Sequence, residues 1–194
     1  YFWKLVIPLS CSFGSFFAMQ NIWMVPWIED AMLVSRESTS FYLITVATAM
    51  VLGNLSGSFF IWLSAKMKIA YERFYILLFA LYVIAFIAIC IPSLSTSYII
   101  WFAFGYFVQG AKLSITLFSW HFPKSYYGRA IAMATFFLFL FAFAFQYLIG
   151  YLLDSWGADG GVYSKEAYQF AFAVVIGINV AGILSFALIR PKRR

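Results

Sequence analysis

Six apolar stretches, each about 19–24 residues long, divide this chain, and each is long enough to cross a hydrocarbon core of about 30 Å as a helix. They run near Leu5–Ile28, Phe41–Ser64, Phe74–Pro92, Tyr98–Trp120, Ala130–Leu153 and Ala167–Ile189. A lone segment in lipid must satisfy its own backbone hydrogen bonds, so each stretch is expected to be a helix. Barrel strands would need alternating segments of about ten residues, and no such alternation occurs. The fold class is therefore an all-α membrane protein of six transmembrane helices, with residues 1–194 as one domain.

Composition excludes the soluble alternative. Charged residues make up only 10% of the 194 residues, against roughly 25% in a soluble domain. The connecting loops are short. The longest, Asp154–Glu166, carries Gly157, Gly160 and Gly161 and reads as a flexible turn. No loop can hold a soluble catalytic domain, so the function belongs inside or across the bilayer.

Charge supplies the orientation. Ten of the thirteen Lys and Arg residues fall on one side of the stretches: Lys4, Lys66, Lys68, Arg73, Lys124, Arg129, Arg190, Lys192, Arg193 and Arg194. Six of the seven acids fall on the other: Glu29, Asp30, Glu37, Asp154, Asp159 and Glu166. Loops left in the cytoplasm are enriched in Lys and Arg, so the basic side is expected inside, with both termini. Glu72 is the one acid on that side. Trp3, Trp23, Trp27, Trp120 and Trp156 fall near the proposed interfaces, where an amphipathic ring is comfortable. The net charge of +6 is thus a matter of membrane orientation, and no nucleic-acid partner is expected. The expected partners are the lipid bilayer and a small-molecule substrate.

Little in the chain favours an enzyme. His121 is the only histidine, without a companion His, Cys or acid cluster, and reads as an interfacial residue. Cys11 and Cys90 lie inside spans at different heights and read as small packing residues. No cofactor or metal is expected. The sequon at Asn54 is buried in a span and is discounted for glycosylation. Gly53 and Gly57 form a GxxxG element, and Gly177 and Gly182 resemble it in the last span. Both read first as helix packing.

One charge breaks the sorting. Lys112 lies within the fourth stretch, eight residues from Trp120 and hence about 12 Å from the end of that helix. An intramembrane ionisable residue marks a functional site by default. Two environments fit it: a water-filled cavity, or snorkelling along its own apolar stem. A cavity lysine favours an anionic substrate. The other polar residues in spans are Gln20, Asn21, Asn54, Gln109, Gln146 and Asn179. Each alone is more often interhelical glue than a ligand. Gln109 gains weight beside Lys112 and before Gly110; Gln20 and Asn21 gain it because Pro26 could bend the helix beyond them. No acid lies deep in any span, so a proton-coupled mechanism would need carboxylates from elsewhere.

Three runs carry a family resemblance. The first span ends Gln20-Asn21-Ile22-Trp23-Met24-Val25-Pro26-Trp27-Ile28-Glu29-Asp30. The fourth loop reads Phe122-Pro123-Lys124-Ser125-Tyr126-Tyr127-Gly128-Arg129-Ala130. The fifth span carries Ala142-Phe143-Ala144-Phe145-Gln146, then Gly150 and Asp154-Ser155-Trp156. In order and spacing, these resemble the seventh helix, the loop between the tenth and eleventh helices, and the eleventh helix of major facilitator superfamily transporters. The chain is thus similar to the C-terminal six-helix half of such a transporter over almost its whole length. One departure stands out: the family carries an acid after its eighth helix, and here Trp62 stands about where it would be. That puts in doubt the charge relay which latches this loop in the family.

The resemblance implies two inverted three-helix repeats in this half, a partner six-helix half, and alternating access around a central cavity. It implies a secondary transporter, or permease, for a small polar solute that could be anionic, in a bacterial inner membrane. Lys112, Gln109, Tyr106, Gln20 and Asn21 would line the cavity. Gly57, Lys66, Lys68 and Arg73, with Pro123, Gly128 and Arg129, would form the gating loops on the cytoplasmic side. The chain opens at Tyr1-Phe2-Trp3-Lys4 without an initiating Met, so a missing N-terminal six-helix half is expected. The alternatives are a self-sufficient homodimeric six-helix carrier and a transport-inactive fragment or scaffold. Topology is open to direct test. A cysteine replacing Ser38 should react with an impermeant thiol reagent from outside the cell, and one replacing Ser125 only from inside; the reverse pattern overturns the orientation.

Overall fold

The computed structural model describes residues 1–159 and 161–188. Arg190, Lys192, Arg193 and Arg194 of the charge count, the Ile189 end of the sixth stretch, and Gly160 lie outside the described residues. The chain is 88% helical. The strands among the described residues are a two-residue antiparallel pair, β1 (Ala158–Asp159) and β2 (Val162–Tyr163). The fold is all-α, with six helices long and apolar enough to cross a membrane: α1 (Phe2–Ala31), α2 (Arg36–Leu55), α3 (Tyr71–Ile89), α4 (Tyr98–His121), α5 (Lys124–Trp156) and α6 (Lys165–Leu188).

Local chemistry sets where these helices start and bend. Ser35 caps α2, its Oγ accepting from the Ser38 backbone N–H. Pro123 stands just ahead of α5, where its missing N–H costs no helical bond. In α1, Pro26 is flanked by two π-helical turns, Met19–Trp23 and Trp27–Ala31. The helix thus passes a residue that cannot donate by widening its turns rather than by ending. The second predicted stretch is not one helix. α2 ends at Leu55, and a second piece, Gly57–Lys66, starts beyond Ser56. Ser56 Oγ donates to the Leu52 carbonyl at 2.7 Å and accepts from the Tyr106 hydroxyl at 2.9 Å, pinning this joint to α4.

α1 is the hub. In its apolar window 78% of residues are buried, against 28% in α2 and 22% in α5, the two most exposed of the six. α1 packs on α5 and α6, α4 packs on α2 and α3, and α6 bridges α3 and α5. Where α1, α3, α4 and α6 converge, Phe104 stands 5.2 Å from the ring centroids of Phe16, Tyr82 and Phe86. A buried polar node lies alongside: Ser15 Oγ is 2.8 Å from the Tyr82 hydroxyl and 3.2 Å from Asn179 Oδ1. Asn179 thus acts as the glue expected of it. Trp27, expected near an interface, does not present its ring at the protein surface. It is fully buried against Tyr168 and Phe172, because the π-helical turn that it opens packs against α6.

Two seams depend on a missing side chain. A Cβ on Gly14 would meet the Phe141 Cβ at 2.9 Å and the Ala142 N at 3.0 Å across the α1–α5 seam. A Cβ on Gly105 would meet the Val46 carbonyl oxygen at 2.8 Å across the α4–α2 seam. The GxxxG pair divides: Gly53 lies against Gln109 and the Tyr106 carbonyl, whereas Gly57 faces open space. Gly105→Ala should destabilise the fold by about 1–3 kcal/mol through overpacking. Gly177→Ala, in open space within α6, should be neutral or stabilise by up to about 1 kcal/mol. Thermal unfolding in detergent checks both; equal effects would show that the seam has slack.

Candidate functional site

The fourth span changes winding where its polar residues fall. Val108–Lys112 is a 3₁₀ segment inside α4. In that geometry residues three apart eclipse, so Gln109 and Lys112 stand on one side of the helix. Both line a cavity of about 230 Å³ among α1, α4 and α5, with Met50 from α2. Its other walls are almost wholly apolar, including Phe13 and Phe17 of α1 and Phe139 of α5; Thr135 adds one hydroxyl.

The ammonium of Lys112 does not reach toward the helix end. It donates to Asn54 Oδ1 and stands 5.7 Å from the centroid of the Phe13 ring. Gln109 is 3% exposed, and both its amide oxygen and its amide nitrogen are buried without a hydrogen-bonding partner. An unmade buried hydrogen bond costs about 1–3 kcal/mol, so this amide is an expensive group to hold on a cavity wall.

A second cavity, of about 410 Å³, lies farther along the same seam and is lined by Asn21, Gln146 and four apolar residues. Phe17 and Phe139 border both cavities. The Trp23 indole N–H donates to the Gln146 carbonyl at 3.3 Å, tying α1 to α5 at that level. Lys112, Gln109 and Asn21 therefore lie along one line between α1, α4 and α5. Gln20 and Tyr106 do not join it. Gln20 is half-buried in the first π-helical turn of α1, and Tyr106 turns toward Ser56 and Phe60. Sequence reasoning missed Asn54 as the partner of Lys112. Its position one residue after Gly53, on the face nearest α4, was the available signal.

The predicted loop residues make contacts local to their own loops, and no contact joins Lys66 or Lys68 to Arg129 among the described residues. Lys66 stands over the Trp62 ring at 4.8 Å, so the tryptophan found where the resemblance expects an acid holds a cation by its π face. Lys68 takes a left-handed backbone, φ 53, in the turn before α3. Arg129 lies 5.7 Å from the Tyr126 ring, and a Cβ on Gly128 would meet open space. Arg73 borders a cleft of about 300 Å³ with Lys4, Glu72, Ile76 and Phe186. Glu72 pairs with Lys4 at 3.6 Å and accepts from the Tyr1 hydroxyl. Burial, with that acceptor, raises the Tyr1 pKa well above the usual phenol range. The Tyr1 ring stacks on His121 at 3.7 Å, and His121 Nδ1 lies 2.9 Å from the Leu117 carbonyl. Among the described residues no three His, Cys, Asp or Glu come together as metal ligands.

No protein-family model matches the chain, and no curated protein matches it either. The site must therefore be interpreted from its own chemistry. Gln109→Met, close in shape and without the amide, should raise stability by about 1–3 kcal/mol, because it removes an unsatisfied buried group. A lowered melting temperature would mean that the amide has a partner in the resting protein.

Proposed function

We propose that this chain forms one half of an alternating-access secondary transporter for a small polar solute, an anion by preference. On this reading it is the C-terminal half of a major facilitator superfamily fold in a bacterial inner membrane, with both termini cytoplasmic. The observation that carries the proposal is the ammonium of Lys112 on the wall of an intramembrane cavity, beside a buried amide with free bonding capacity. Charges at such depth are costly, and they mark substrate or ion pathways.

Helix packing supports the same reading. Exchanging the first three helices for the last three turns the α1–α5 and α1–α6 contacts into α4–α2 and α4–α3. The glycine contacts follow the exchange: Gly14 of α1 approaches α5, and Gly105 of α4 approaches α2. That is the pairing expected of two three-helix repeats, inverted because each holds an odd number of spans. The exposed faces of α2 and α5 would then receive a second six-helix body, and the cavity between α1, α4 and α5 would be one wall of a shared central site. Rocking the two bodies about that site opens it to each side in turn. The basic loops around Lys66, Lys68, Arg73, Pro123 and Arg129 would close the inner side, with the Lys66–Trp62 contact in place of an ionic latch.

Lys112→Ala tests the reading. In proteoliposomes containing the whole protein, exchange of anionic solutes should fall by about tenfold or more, the order of one lost charge-assisted hydrogen bond. Unchanged kinetics across anionic solutes would sink the assignment of this cavity.

A further inference from the structure

The cavity is particular about more than charge. Among its lining residues Lys112 is the one charged side chain, and the hydrogen-bonding groups besides it are the Gln109 amide and the Thr135 hydroxyl. A sugar or other polyol would leave many of its hydroxyls facing Leu9, Phe13, Phe17 and Phe139, and unpaired polar groups in an apolar site are strongly disfavoured. A dianion would bring one negative charge more than this wall can balance by itself. The chemistry that this wall offers suits a ligand with one carboxylate and an apolar body.

The geometry points to a monocarboxylate with an aromatic or short aliphatic body as the ligand of this cavity, an inference that rests on the transport reading and narrows its substrate. A lysine ammonium offers three donors, and one already serves Asn54. The others are free to meet a carboxylate oxygen. The Gln109 amide, beside Lys112 on the same side of the 3₁₀ turn, is closed off from the cavity and has no partner in the resting structure, so a change of its rotamer would bring an N–H to the second oxygen. That contact satisfies the group which the resting structure leaves unpaired. The body of the ligand then lies among Phe13, Phe17 and Phe139, where an aromatic ring finds ring partners. Asn54 keeps the ammonium in place without a competing negative charge, so an arriving carboxylate displaces no ion pair.

The experiment uses the whole protein in lipid nanodiscs, titrated by calorimetry with phenylacetate, its neutral isostere phenylacetamide, and palmitate. Phenylacetate should bind at least about tenfold more tightly than phenylacetamide, the margin of one charge-assisted hydrogen bond. Lys112→Gln should remove that margin, and Lys112→Arg should keep most of it. Equal affinity for the two isosteres in the unmodified protein overturns the inference without recourse to any variant, as does failure of phenylacetate to bind. Palmitate separates the sources of the carboxylate: exclusion of palmitate marks a solute from water, and tighter binding of palmitate marks an acid drawn from the bilayer. Counterflow of labelled phenylacetate keeps this inference apart from the broader proposal. Lys112-dependent binding without counterflow would overturn transport and leave the recognition standing. Counterflow of neutral solutes alone would do the opposite.

Discussion

A hydrocarbon core offers backbone groups no partner, and everything else in this molecule follows from that. It makes each apolar stretch a helix, and it also removes the usual adhesive between helices, since a lipid tail is as apolar as a leucine. Cohesion must come from close contact and from a few buried hydrogen bonds. The Gly14 and Gly105 seams, the aromatic cluster around Phe104, and the Ser15–Tyr82–Asn179 node supply both. These contacts hold α1 at the centre of the bundle. Because α1 is fixed against α5 and α4, the wall opposite Lys112 has a definite shape.

The same scarcity of water explains how the site is built. Lys112 would be intolerable among bare methyl groups, and the fold provides a neutral amide and an aromatic face instead of an acid. The 3₁₀ turn brings Gln109 to the same side, at the cost of poorer hydrogen-bond geometry within α4. The 3₁₀ winding, the unpaired amide and the half-buried cation coincide over five residues. Each costs stability, and their coincidence is what the proposed function rests on.

Much of the fold was legible because hydrophobic length is a local property. Each stretch read from the sequence overlaps one of the six long helices, with the second displaced toward Arg36 and broken at Ser56, and Lys112 stood out because nothing else charged lies between the loops. What escaped depends on contacts between distant segments. The break at Ser56 falls in the run Gly53-Asn54-Leu55-Ser56-Gly57-Ser58, which reads as a small-residue packing face, and the bond from Tyr106, fifty residues on, pins the joint. Asn54 reads as a packing residue until the register of α2 on α4 places it against Lys112. Gln20 and Asn21 are neighbours in sequence, yet it is Asn21 that lines the second cavity, because the π-helical turn they share sets which of them faces α5. Trp27 resembles an interfacial anchor by position and is core by packing. Orientation in the bilayer is an expectation from the charge of the loops, and packing does not bear on it.

The neutral partner of Lys112 has an electrical consequence. On the proposed transport reading, with an amide instead of a carboxylate beside Lys112, this wall would carry one positive charge that no ion pair among the described residues balances, and a bound monocarboxylate would cancel it. In an alternating-access cycle, the membrane voltage would then act on the return of the vacant carrier and leave the loaded step nearly untouched. Moving one charge across the full field is worth about 2.3 kcal/mol per 100 mV, and a shallow displacement of Lys112 would feel some fraction of that. An acid at position 54 would have reversed the arrangement and put the voltage on the loaded step. On the proposed transport cycle, one side-chain amide would thus decide which half of the cycle an electrical gradient can drive.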